Sequence, residues 1–172
     1  YERLQDMAVV DEEVWDLTLH NNESPEVYLN RARERLFREY GREWAEALED
    51  TTARREALIL ADQAGWRLAN YVASLAEDRP SDPTAGIDRA ARYFKDYMGD
   101  FPESDNSYPA RWNYSQYMWR LERYDEAYEE FISVSRDERS EKYREQAAIN
   151  AILAAEKMLE LERQKAVPEP AT

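Results

Sequence analysis

The sequence predicts an all-α array of about seven helices stacked as antiparallel hairpins. The first observation is a pattern that recurs at an offset of 37 residues, in which Ala90 and Phe94 return as Ala127 and Phe131, and Ala110 and Asn113 as Ala147 and Asn150. Ile87, Tyr97 and Leu121 land on the apolar Tyr124, Val134 and Met158 in the same register. The second is that only four glycines interrupt 172 residues, which suits long helices better than sheets with tight turns. The third is apolar spacing of three and four along most of the chain. A repeated helical pair cannot bury its apolar face alone, so it stacks against its neighbours. The length fits one domain, read as a single array over 1–165 with a tail at 166–172.

The elements follow in order. Leu4, Met7, Ala8, Val14, Trp15 and Leu19 predict a first helix from about Glu2 to Leu19, with Asp11 intruding on its face. His20-Asn21-Asn22 is a polar loop, and Ser24-Pro25-Glu26 supplies a cap, a first-turn proline and an acid near the positive helix end. Leu29, Ala32, Leu36, Tyr40, Trp44, Ala47 and Leu48 predict a second helix from Pro25 to about Glu49, with Gly41 as a break point. After Asp50-Thr51-Thr52, a seam of Leu58, Ala61, Gly65, Leu68, Val72 and Leu75 runs beside Ala57, Ala64 and Tyr71. So wide an apolar face calls for more than one neighbour, and its small residues admit close approach.

Pro80, Pro83 and Gly86 make the clearest internal break. A helix from about Ala85 to Gly99 follows, stopped by Gly99-Asp100-Phe101-Pro102. Ser107 and Pro109 open the next, which runs to about Leu121; Tyr124 to Ser135 form another, and Ser140 opens a last one reaching about Arg163. The clearer repeats thus occupy 85–163, while 1–78 reads as degenerate repeats or a cap. Ala166-Val167-Pro168-Glu169-Pro170 reads as a flexible tether.

Thirty-seven acidic against 23 basic side chains leave a formal charge of −14, a field that repels phosphate backbones and anionic lipid. Nucleic acid is therefore not an expected partner. The acidity itself reads either as solubility or as attraction of a basic protein face. There is no cysteine, hence no disulfide and no thiolate metal site. No run of about 18 apolar residues and no signal-peptide pattern is found, so no membrane insertion is expected of this segment. Tyr1 in place of Met predicts a processed chain or a piece of a larger protein, with any export signal or lipid anchor upstream.

Tyr124-Asp125-Glu126-Ala127-Tyr128-Glu129-Glu130-Phe131 resembles the second helix of a tetratricopeptide repeat, with a small residue at the helix crossing and an aromatic one turn later. Ala90, Phe94 and Pro102 match the small, aromatic and terminal-proline positions of a preceding repeat. The offset exceeds the usual repeat by about three residues, attributed to the loop from Pro102 to Asn106. Phe101-Pro102-Glu103-Ser104, Arg123-Tyr124-Asp125-Glu126-Ala127 and Lys142-Tyr143-Arg144-Glu145-Gln146-Ala147-Ala148 look like tetratricopeptide proteins of the bacterial cell envelope, including Tol-Pal-associated, outer-membrane-assembly and myxobacterial gliding proteins. That likeness covers about a third of the chain and implies a periplasmic or envelope-associated scaffold; cytoplasm stays open. Two positions depart from the repeat pattern. Glu122 stands where glycine is preferred between paired helices, and Ser115 replaces a glycine or alanine.

The sequence carries no pattern of catalysis. His20 is the only histidine and reads as a surface loop residue, which leaves no His cluster or two-His triad. Glu12-Glu13, Glu129-Glu130 and Glu160-Glu162 have Lys and Arg neighbours at helical spacing, as solvated helix faces do. A Gly-rich phosphate loop, HExxH and GxSxG are all absent. The expected protein is not an enzyme and takes no cofactor.

Tyr108, Trp112, Tyr114, Tyr117 and Trp119 crowd one helix, and no single stripe buries all five, so part of this aromatic area is expected to be exposed or to meet a partner. In the register of the resembled family, first-helix positions line a concave groove, which implies Trp112, Gln116, Trp119 and Arg120 as partner-binding residues. Asn150, aligned with Asn113, joins them as a hydrogen-bonding residue for an extended ligand. The competing readings are that the tryptophans are inter-repeat core and that the asparagines satisfy a helix end. Either a recruiting scaffold for a protein or peptide, a basic one among the candidates, or a permanently packed structural subunit follows. Self-association stays open.

Overall fold

A computed structural model of the chain describes Glu34, residues 41–77 and residues 83–166, and all of its regular structure among these residues is helical. Six helices are described: α1 (Arg42–Glu46), α2 (Thr51–Glu77), α3 (Pro83–Asp100), α4 (Ser107–Arg120), α5 (Tyr124–Arg136) and α6 (Arg144–Ala166). The expected first helix, His20, the Ser24-Pro25-Glu26 cap, the break at 80–82 and most of the tail lie outside the described residues. The all-helical expectation holds, and the described count is six instead of about seven. The chain divides into two units, Tyr1–Tyr71 and Val72–Thr172, with α2 passing from the first into the second.

In the first unit Gly41 is a bend with extended backbone (φ −74°, ψ −152°) ahead of α1, in line with its reading as a break. Asp50 starts α2: its Oδ1 accepts from the backbone N–H groups of Thr52 and Ala53, both at 2.8 Å. A cap of this kind satisfies orphan donors and places an anion at the positive helix end. Arg54 folds back to donate from Nε and Nη2 to the Leu48 carbonyl at 2.9 and 2.6 Å. Along α2, which crosses into the second unit, the buried residues are Ala57, Ala61, Gly65, Leu68, Ala69, Val72 and Ala76; Ala57, Ala61, Gly65, Leu68 and Val72 are those expected from the sequence, whereas Leu58, Ala64, Tyr71 and Leu75 are only half-buried.

In the second unit α3 starts on Pro83, whose missing N–H costs nothing in a first turn. Gly86 lies inside α3 and not in a loop, and the reason is steric. A Cβ there would meet the Ala76 backbone Cα at 3.2 Å, so glycine permits the approach to the end of α2.

Consecutive helices then pack: α3 on α4, α4 on α5, α5 on α6. Helices α4 and α5 run antiparallel, since early residues of α4 (Arg111, Trp112) meet late ones of α5 (Glu130, Phe131), while Trp119 at the end of α4 meets Tyr124 at the start of α5. The core consists of the repeated positions. Ala90 and Ala127 are both fully buried, as are Ala110 and Ala147, with Phe94 beside Phe131 and Tyr97 beside Val134 in the same class. Helices α4 and α6 begin 37 residues apart, at Ser107 and Arg144. Even the first-turn backbone bonds correspond: Ala110 N–H to Asn106 O at 2.9 Å and Ala147 N–H to Tyr143 O at 2.8 Å.

The expected start of the last helix at Ser140 is four residues early. Residues 137–143 form turns, because Asp137 and Arg139 are committed to loop contacts described below. The turn between α4 and α5 is a Schellman motif, with Arg123 N–H on Met118 O at 2.9 Å and Glu122 N–H on Trp119 O at 3.1 Å. Glu122 has φ 59°, the left-handed region that glycine prefers. The departure noted at this position is thus a residue in a glycine conformation. Ser115, the other departure, is fully buried and its Oγ satisfies itself on the Trp112 carbonyl at 2.7 Å.

Candidate functional site

Three helices and a turn position the α4 aromatics. Tyr117 is buried and stacks on Phe94 of α3, with centroids 5.9 Å apart. Trp112, half-buried, lies on the opposite flank, tilted against Phe131 of α5 at 5.8 Å and stacked on Tyr143 at 4.8 Å with the rings parallel to within 2°. Tyr143 also stacks on Tyr108 at 5.6 Å, and the Tyr108 hydroxyl accepts the Tyr143 backbone N–H at 3.0 Å. The entry to α6 is therefore clamped to α4 by two aromatic contacts and one hydrogen bond. Tyr108, Tyr114 and Tyr117 are all buried, so the outward-facing part of this aromatic area is confined to the half-buried Trp112 and Trp119. A helix with neighbours on two sides buries two stripes, so a one-stripe argument undercounts its core.

The five residues expected to meet a partner are placed as follows. Trp112, Gln116 and Trp119 share one side of α4, where Trp119 lies edge-on to Tyr124 at 5.1 Å. The Gln116 side-chain nitrogen is enclosed and has no hydrogen-bond partner among the described residues. Arg120 is exposed with its guanidinium 5.7 Å from the Tyr117 ring centre. Asn150 sits apart from these on α6, half-buried, and its Oδ1 accepts from Gln146 Nε2 at 2.9 Å. The structure thus brings three together along the α4–α5 seam and leaves Arg120 and Asn150 outside that row.

A second feature was not foreseen. An open cleft of about 240 Å³ is lined by Lys95 of α3, Tyr114 of α4, Asp125, Glu126, Glu129 and Glu130 of α5, and Met158 of α6. Tyr114 donates its hydroxyl to Glu126 Oε2 at 3.3 Å. Burial, reinforced by the Glu126 charge, pushes its phenol up to about 12. It therefore stays a donor across the physiological range, and the stability it contributes is full below the ordinary tyrosine range and lost as pH rises through about 12. Two of the carboxylates are partly neutralised, Glu130 by Arg111 at 3.0 Å and Glu126 by Arg123 at 2.5 Å. Asp125 and Glu129, both exposed, complete an acidic wall. Glu129-Glu130 was visible as an acid pair, but its company comes from four helices and no single stretch of sequence shows it.

The loops at one end are tied in the same repeat register. Arg139 grips the Asp137 carboxylate through Nε and Nη2 at 3.0 and 2.6 Å, while its Nη1 donates to the Pro102 carbonyl at 3.0 Å, 37 residues away. The Arg139 hydrogen bonds hold the Asp137 carboxyl below the usual carboxylate range. The pair therefore supports the fold above that range and loses this contribution as pH falls through the lowered value.

Among the described residues no group of three or more His, Cys, Asp or Glu is placed to hold a metal ion, and no helix is long and apolar enough to cross a membrane. Comparison with family models, with curated proteins and with solved structures finds no match to this chain.

Proposed function

We propose that the chain is a non-enzymatic scaffold for protein–protein binding, a tetratricopeptide-like array of helical hairpins working in a bacterial envelope assembly. The observation that supports this reading most is the recurrence of the core of a layer. Crossing alanines, core phenylalanines, the starts of α4 and α6 and their first-turn bonds all return after 37 residues, as in proteins whose stacked units present extended binding surfaces. The envelope location rests on the sequence resemblance alone.

The partner is a basic peptide or helix, drawn by the acidic wall of α5 and by the overall charge of −14. Cationic side chains pair with Asp125 and Glu129 in the cleft, both of which are exposed. Trp112 holds the layer together in this reading, through Phe131 and Tyr143. The test is the double variant Asp125→Lys with Glu129→Lys, titrated with lysine- and arginine-rich peptides. Binding should fall at least about tenfold, with helix content retained and only a small drop in melting temperature from the lost first-turn acid Asp125, since both residues are exposed. Unchanged affinity, or binding insensitive to salt, would remove the cleft from the reading.

The structural-subunit reading is favoured by a different observation. Ile149, Ile152, Leu153 and Leu159 of α6 are 42–63% exposed, an apolar face of the kind that a permanently packed neighbour covers.

A further inference from the structure

We propose that α6 is a self-complementary docking helix, through which two copies of this chain pair antiparallel about a twofold axis. The argument begins with the repeat register. Trp112, Ser115 and Trp119 of α4 correspond, 37 residues on, to Ile149, Ile152 and Glu156 of α6. On α4 this side is covered by α5, through Trp112 on Phe131 and Trp119 on Tyr124, and Ser115 is 0% exposed. On α6 the counterpart of Ser115 is Ile152, at 63% exposure. The same face is thus built to receive an antiparallel helix and is bare.

Among the described residues no helix covers this face of α6 as α5 covers that of α4. Helix α4 stops at Arg120 and turns back over itself at Glu122, whereas α6 continues through the corresponding Leu159 and runs to Ala166.

The stripe on this face is Glu145, Ile149, Ile152, Glu156, Leu159 and Arg163, spaced by four, three, four, three and four, the spacing of a coiled-coil seam. All six are exposed. They lie nine, five and two residues on either side of Ala154, and this symmetry makes the stripe match itself when reversed. Acidic Glu145 meets the basic Arg163 of the second copy, Ile149 meets Leu159, and Ile152 lies beside Glu156, whose aliphatic stem can cover it. Charge and apolar complementarity therefore name a second copy of α6 as the occupant. The stripe spans roughly 27 Å at about 1.5 Å per residue, so the contact is a single helix pair at the small end of specific interfaces, and pairing depends on concentration.

The test is sedimentation equilibrium of the whole chain across a wide concentration range, with circular dichroism as the check on folding. The wild-type chain should show a monomer–dimer equilibrium. Ile152→Arg, an exposed position at the centre, should raise the dissociation constant at least about a hundredfold without loss of helix. Glu145→Arg and Arg163→Glu alone should each weaken the dimer about tenfold through like-charge pairs. An equimolar mixture of these two variants should recover wild-type affinity, because every end pair is again opposite in sign. A chain that stays monomeric at roughly millimolar concentration overturns the proposal. So does a dimer indifferent to Ile152→Arg, or a mixture no tighter than its components.

Discussion

Helices α4 and α6 start 37 residues apart and hold alanines at the same buried depth, yet one has neighbours on both flanks and the other lies bare on one. The difference shows up in composition. Where α5 covers it, α4 carries aromatics whose rings find partners at 4.8 to 5.8 Å. The buried side of α6 is Ala147, Ala151 and Ala154, thin enough to let α5 approach closely, and its larger apolar residues face out. Position within a layer is therefore set by the repeat, but whether a side chain is core depends on whether another helix covers it.

The comparison can be broken most severely at the core of each layer. Phe94 and Phe131 are at most 1% exposed and repeat-equivalent. Truncating either to Ala should cost about 3–5 kcal/mol by denaturant titration, from lost transfer energy and an unfilled cavity. Similar losses for both would sharpen the equivalence of the layers, and a loss confined to one would break it.

A smaller effect, of opposite sign, is expected at the turn between α4 and α5. Glu122 occupies the left-handed region at φ 59°. Glu122→Gly should stabilise the chain by about 1 kcal/mol, the relief of that backbone strain less the added freedom of the unfolded glycine. Thermal melting should then move up by about 2–4 °C for a chain of this size. A drop would mean that the Glu122 side chain contributes more than its backbone costs.

What the sequence showed and what it hid have physical causes. The crossing alanines and core phenylalanines were legible because a period of 37 repeats both residue type and burial. The strained turn was legible as a residue out of pattern at Glu122. The burial of Tyr114 and Tyr117 was not legible, since helical spacing reports one face at a time and α4 has two buried faces. Gly86 was read as a breaker because the sequence does not show that Ala76 lies 3.2 Å from where its Cβ would stand. The acidic cleft was hidden for a related reason: Lys95, Tyr114, Glu129 and Met158 meet only through tertiary packing of four helices.

The most direct test of the covered and uncovered faces is a matched pair of truncations at Trp112 and its counterpart Ile149, each to Ala, in a chain diluted enough to stay monomeric. Denaturant titration should show a loss of about 3 kcal/mol for Trp112→Ala, which removes the contacts with Phe131 and Tyr143. For Ile149→Ala, 45% exposed, the change should stay within about 0.5 kcal/mol. Equal losses at the two positions would contradict the account.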